Sequence, residues 1–290
     1  IHNETHGRST AILTNIVKVQ NTISLFSFTK KYNVLLYPMK YILSCCLTLS
    51  LMGGIHAQKK KSDSAVARAW IGFEYGANTT MGDLSDRYGF LNHLSLMTGF
   101  KTKKNYFFGL NSTFLFGSDI RLSGIFDHLT DSYGNITDVN GDIAAIVVYP
   151  RGFSSNVTIG KILPLFSVNR NSGVFIHAGV GFLLHKMKIE TNEQVIPQLE
   201  LDYKKGYDRL TTGINFHQFI GYNFMAQTGG YHFYGGFYAQ QGLTKNRRTL
   251  FYDQPDQAVS TETRLDIQIG ARLGWVVPIY KRQPKEFYFD

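Results

Sequence analysis

Cysteine is nearly missing from this 290-residue chain: it has two, Cys45 and Cys46, side by side near the start. Methionine is missing from the first 38 residues. Beyond Met52 there is no run of roughly 18 apolar residues, the length a membrane-spanning helix needs. Each absence excludes something. Met39-Lys40, the apolar run from Tyr41 to Met52 and the small residues ending at Ala57 form a secretory signal pattern: a basic start, an apolar core and a small-residue end. Residues 39–57 are therefore expected to be a signal peptide cleaved after Ala57, and residues 1–38 an extension upstream of the true start. Both cysteines fall inside the signal. The mature part then has no disulfide, no thiol nucleophile and no cysteine metal site. The formal net charge is +9, yet Lys and Arg gather in presumed loops and tails. A nucleic-acid partner needs a continuous basic surface, so none is expected. Basic ends and loops that face anionic lipid account for the charge more simply.

What the chain does have is alternation. From Thr263 to Tyr280, Leu265, Ile267, Ile269, Ala271, Leu273, Trp275 and Val277 alternate with Asp266, Gln268, Gly270, Arg272, Gly274 and Val276. Period two is the signature of a strand. An apolar face this long, opposite a face carrying charge and glycine, fits a transmembrane barrel strand, apolar outside and polar inside. Seven similar stretches precede it, at about 69–78, 92–100, 106–117, 152–162, 173–185, 211–224 and 231–243. The connections alternate long and short. Those at 79–89, 118–142, 186–210 and 244–262 are the long ones. Short periplasmic turns, long outer loops and an even strand count are the outer-membrane arrangement. The expected fold is all-β: an eight-stranded antiparallel up-and-down transmembrane β-barrel over residues 68–280. Residues 58–67 and 281–290 would be periplasmic tails, with both termini on the periplasmic side. A soluble lipocalin-type barrel inverts the faces. It would have to enclose Phe108, Phe114, Phe116, Phe216, Phe233, Phe237 and Trp275, more bulk than an eight-stranded interior holds.

Three stretches carry a resemblance to the outer-membrane β-barrel proteins of the Bacteroidetes. They are Asp131-Ser132-Tyr133-Gly134-Asn135-Ile136-Thr137-Asp138-Val139-Asn140-Gly141, Tyr203-Lys204-Lys205-Gly206-Tyr207-Asp208-Arg209-Leu210-Thr211, and the end from Gly274 to Arg282 with Pro284-Lys285-Glu286-Phe287-Tyr288. The resemblance implies outer-membrane residence and brings no catalytic residues. The chain departs from the common outer-membrane ending in closing on Asp290, ten residues past Tyr280.

Candidate chemistry is sparse. Glu74 on the first strand and Arg272 on the last point inward, and closure makes those strands neighbours. A charge in a narrow lumen needs a partner, so Glu74, Arg272 and Asp266 are expected to form a structural lumen network. His93, His177, His185, His217 and His232 lie in or near strands. His177, His185 and His217 share the inward face, where neutral imidazoles can bind metal, but no inward Asp or Glu on their strands completes a set. Polar lumen filling is the simpler expectation, with no metal and no cofactor. An enzyme acting on lipid or peptide would need a nucleophile beside a base near the outer rim, and His185, Ser118, Asp119 and Glu190 are the groups available. A conducting pore has little room in eight strands. Two basic loop clusters, Lys204, Lys205 and Arg209, and Arg247 and Arg248, could meet lipopolysaccharide phosphates, which Arg binds in bidentate fashion. The expected function is a non-enzymatic outer-membrane barrel, structural or an accessory subunit of an assembly or secretion complex. A small enzyme or narrow pore is the alternative. Its partners would be outer-membrane lipid, lipopolysaccharide and a larger protein complex.

Overall fold

The computed structural model describes residues 65–226 and 232–279. The expected upstream extension, signal peptide and C-terminal tail lie outside them, as does most of the tail at 58–67. Eight strands follow in order: β1 Arg68–Gly82, β2 Phe90–Lys101, β3 Tyr106–Phe116, β4 Val147–Leu163, β5 Gly173–Glu190, β6 Thr211–Met225, β7 His232–Asn246 and β8 Arg264–Ile279. Each pairs antiparallel with its sequence neighbours, and β1 pairs with β8, closing the barrel. No strand keeps a free edge, so the sheet has no exposed row of backbone donors and acceptors.

Alternation sorts the side chains as the sequence leads one to expect. Ile269, Leu273, Trp275 and Val277 are exposed on β8, while Asp266, Gln268, Arg272 and Val276 between them are buried. The same holds round the barrel. Phe73, Leu94, Leu110, Phe153, Val180, Phe216 and Phe237 all face outward. Contiguous apolar surface on this scale is not that of a water-soluble monomer.

The strands run longer than the periodicity suggests, and this changes the loops. β1 continues to Gly82, so the first connection is only residues 83–89, opened by the 3-10 helix Asp83–Asp86. The strict long–short alternation of connections therefore fails at its first member. The turn at 164–172 is longer than the loop at 83–89. β4 starts at Val147, five residues before the expected Gly152, and β5 reaches Glu190, inside the stretch at 186–210 that reads as loop. These extensions raise the barrel wall at the end where the connections 83–89, 117–146, 191–210 and 247–263 emerge. We call this the loop end, and the opposite one the turn end.

Inside, large side chains and glycines are fitted to one another. Gly179 on β5 faces the lumen, and a Cβ there would collide with the His217 ring and with the carbonyl of Val157. Gly274 on β8 likewise makes room for the Tyr234 ring. Lumen glycines here are gaps cut for particular rings, and a close-packed interior tolerates added atoms poorly.

The two faces of β4 supply a test. Val157 is 67% exposed and Thr158, next to it, 1%. Val157→Arg is expected to cost about 2–4 kcal/mol of barrel stability in lipid. Thr158→Ser should cost under about 1 kcal/mol, having removed one methyl group. Heat-modifiable gel mobility after reconstitution reads both. Equal tolerance of the two changes would mean that the apolar belt does not face lipid.

Candidate functional site: the filled lumen and its cap

The lumen is built in layers, and the lowest, at the turn end, is aromatic. Trp70 from β1, Phe107 from β3, Phe175 from β5, Phe219 from β6 and Tyr234 from β7 are buried together with Met97, Ile162 and Val276. Phe175 sits at the centre, edge-on to Trp70, Phe107, Phe219 and Tyr234 with ring centroids 5.6–6.0 Å apart. Such edge-to-face sets fill space with favourable quadrupole contacts.

The charged layer lies directly above. Arg272 Nη1 donates to Glu74 Oε2 at 3.0 Å, with both side chains almost wholly buried. The residues are two positions out of register: Arg272 lies opposite Gly76, and Glu74 opposite Gly274. The two glycines make room for rings that flank the pair, Gly76 for His93 and Gly274 for Tyr234. Glu74 Oε1 accepts two more bonds, from Asn111 Nδ2 at 2.9 Å and from the Tyr234 hydroxyl. The Arg272 guanidinium also lies 4.0 Å from the Tyr238 ring centroid. A buried carboxylate with three donors is satisfied in the way its desolvation demands.

A layer of histidines and amides comes next. His217 Nε2 and His177 Nδ1 are 3.3 Å apart, and His177 stacks on Phe219. His93 Nδ1 meets the Tyr238 hydroxyl at 3.1 Å. The side-chain amide of Asn215 is also buried in this layer. Among the described residues no group of three or more His, Cys, Asp or Glu is placed to hold a metal.

Asp266 belongs elsewhere. It shares β8 with Arg272, but six residues at about 3.3 Å each put it roughly 20 Å further along the strand. There it accepts from His185 Nε2 at 2.9 Å and from the Thr244 hydroxyl, with Arg264 Nε at 3.7 Å. His185 Nδ1 lies 3.4 Å from the Tyr88 hydroxyl. The expected single network of Glu74, Asp266 and Arg272 is thus two: a pair near the turn end and an Asp266–His185 cluster under the mouth. Nor does the rim group gather. His185 is engaged with Asp266, Asp119 accepts from the Phe90 amide, and Glu190 pairs with Lys188.

Above Asp266 the mouth is closed. The first loop folds inward, burying Leu84 and Tyr88. Arg87 crosses the opening from the β1–β2 side to β6 and β7. It donates to the Arg209 carbonyl at 3.1 Å, Thr211 Oγ1 at 2.7 Å and Asn246 Oδ1 at 2.8 Å. Burial, with Arg264 nearby, pushes the Arg87 guanidinium down to about 10, still charged at neutral pH. The other loops pack over this crossbar round their own apolar core of Ile125, Ile189, Ile196, Leu199 and Tyr207. Val139 N bonds to the Val195 carbonyl at 3.1 Å, and His128 Nε2 meets the Tyr207 hydroxyl at 2.8 Å. The four loops make one cap. A small cleft remains under it, between Leu84, Leu115, Arg151 and His185.

The five basic loop residues divide accordingly. Arg248 grips Asp208 in bidentate fashion at 2.8 and 2.6 Å, and this pairing raises its pKa. Arg209 is buried against Asp253, with its guanidinium 3.6 Å from the Phe251 ring centroid. Both fasten the third loop to the fourth. Lys205 pairs at the surface with Asp202, and Arg247 donates to Thr212 from an exposed position. Lys204 is partly exposed. Sequence reasoning could locate these cations but not the carboxylates that claim two of them, because those lie more than 30 residues away.

No protein-family model matches the chain, and no curated protein matches it. Among solved structures it is similar to Ail, the attachment invasion locus protein of Yersinia pestis, at 8% identity and a TM-score of 0.36 over 72% of this chain and 97% of that one. Ail in complex with the heparin analogue sucrose octasulfate matches over the same shares at 8% identity and a TM-score of 0.34. The N-terminal β-barrel domain of Pseudomonas aeruginosa OprF matches at 8% identity and a TM-score of 0.28, over 72% of this chain and 99% of that domain.

Two outcomes follow from the bonds themselves. Glu74→Gln and Arg272→Met should each destabilise the barrel by about 3–5 kcal/mol, the usual cost of leaving half of a buried pair. The double variant should lose less than the sum, which a denaturant series in detergent measures; additive losses would show the pair uncoupled. Arg87→Ala removes the charge-assisted bonds to the Arg209 carbonyl, Thr211 and Asn246, worth about 2 kcal/mol in all. Amide exchange at 83–89 should then speed up about 30-fold. Unchanged protection would mean that the crossbar does not hold the first loop.

Proposed function

We propose that this chain is a non-enzymatic outer-membrane β-barrel of the Bacteroidetes type. In this reading both termini are periplasmic, and it acts structurally or as an accessory subunit of an assembly or secretion complex. The observation that carries the reading is a lumen filled from end to end inside a continuous apolar belt. The belt suits lipid. An aromatic plug at one end and a packed cap at the other leave no continuous passage through the described residues, which supports a non-conducting role. The Asp266–His185 cluster, the arrangement nearest to an acid–base pair, is sealed beneath the first loop, and its hydrogen bonds hold strands together. What remains accessible is surface: the outer wall, the cap and the turn end. A barrel of this kind works through what it touches.

Gentle extraction of the tagged protein from its native membrane should bring down an outer-membrane partner in fixed stoichiometry, and planar-bilayer recording should show no unitary conductance. Isolation as a lone monomer, or steady channel currents, would overturn the reading.

A further inference from the structure

The turn end carries charge of one sign. Arg68, Lys101, Lys103, Lys104, Lys161 and Arg170 lie there, and among the described residues of that rim there is no Asp or Glu. The nearest described carboxylate on these strands is Glu74, buried inside and held by Arg272. The loop end, by contrast, mixes both signs and pairs them.

The rim is also rigid. Lys101 Nζ donates to Asn105 Oδ1 at 2.8 Å and Asn171 Oδ1 at 2.9 Å. Asn105 Nδ2 donates to the Arg170 carbonyl at 2.8 Å, and Asn223 Nδ2 to the Asn171 carbonyl at 3.1 Å. The β2–β3 turn, the β4–β5 turn and the end of β6 are therefore stitched into one piece. This fixes the backbone that carries Lys103, Lys104 and Arg170, whose side chains are exposed.

Beside these cations sits an apolar wedge. In the β4–β5 turn Leu165, Phe166 and Val168 are all exposed, Phe166 to 92%. Phe166 is held at φ 53°, and its carbonyl accepts from the hydroxyl of Tyr222 at 2.9 Å. Tyr222 shares the outward face of β6 with Ile220 and Phe224, so the wedge leans over the outer wall. Lys161 Nζ lies 4.7 Å from the Tyr106 ring centroid on the same outer surface, a cation–π contact that holds its charge at the edge of the apolar wall.

We propose that this rim is a binding site for anionic phospholipid in the leaflet at the turn end. Lys103, Lys104, Lys161 and Arg170 meet headgroup phosphates, and Leu165, Phe166 and Val168 enter the acyl boundary. Charge complementarity selects the occupant: basic residues beside an inserted apolar group fit a negatively charged lipid surface. The inference rests on the reading of the barrel as membrane-spanning.

The test uses the full processed chain in nanodiscs that mix phosphatidylethanolamine with phosphatidylglycerol, followed by mass spectrometry of the lipid retained after detergent stripping. Phosphatidylglycerol should be retained about fivefold over its bulk share. The combined change Lys103→Gln, Lys104→Gln, Lys161→Gln and Arg170→Gln should return it to the bulk ratio. Phe166→Ser with Val168→Ser should reduce retention with the charges intact, and inorganic phosphate at millimolar levels should not displace the lipid. Bulk-ratio retention by the native chain, no effect of the wedge change, or displacement by phosphate alone would each overturn the proposal. Heat-modifiable mobility in the same discs reports membrane assembly separately: a chain that never assembles fails the membrane reading, and one that assembles without enrichment fails only the lipid site.

Discussion

Everything in this molecule depends on β1 meeting β8. Until that ladder forms, the sheet has two raw edges and no inside. Once it forms, period two becomes a partition between an apolar exterior and an enclosed interior whose polar groups must find one another. The Glu74 carboxylate shows what that demands. It draws its donors from β8, β3 and β7 together, so one buried charge measures whether distant strands hold the right register. A slip of one residue would turn Glu74 and Arg272 toward lipid and bring Phe73 and Leu273 inside.

The strands were legible in the sequence because their information is local. From Leu265 to Val277 each residue declares its face by its neighbours, and the structure keeps that assignment. The ends of the strands were not legible. Lys186 to Glu190 carries charges and reads as loop, and Val147 to Arg151 lies before the expected fourth strand, yet both extend the wall, with Met187 and Ile189 packed together with Leu199 of the cap. The cap itself, with Arg248 gripping Asp208, Tyr207 stacked on His128 and Arg87 reaching Asn246, is made of contacts between residues about 40 to 160 positions apart. No pattern in one stretch encodes such a contact.

The candidate site was read in half. Glu74 and Arg272 were named because strand closure makes them neighbours, an inference from topology alone. Asp266 was grouped with them because it shares their face, but a common face does not imply a common height. Gly179 teaches a related point. Period two places it on the lumen face, and only the closed barrel shows that the missing side chain is the space taken by His217.

The Glu74–Arg272 bond also bears on how the barrel is made. Its two members lie on the first and last strands, so almost the whole barrel separates them in the order of synthesis. Before β8 pairs, the Glu74 carboxylate lacks its countercharge. Carrying that lone carboxylate into lipid is costly, and the arrival of β8 removes the cost at the same step that seals the edge. On the proposed reading of the barrel as membrane-spanning, the ion pair couples burial of the Glu74 charge to closure of the wall.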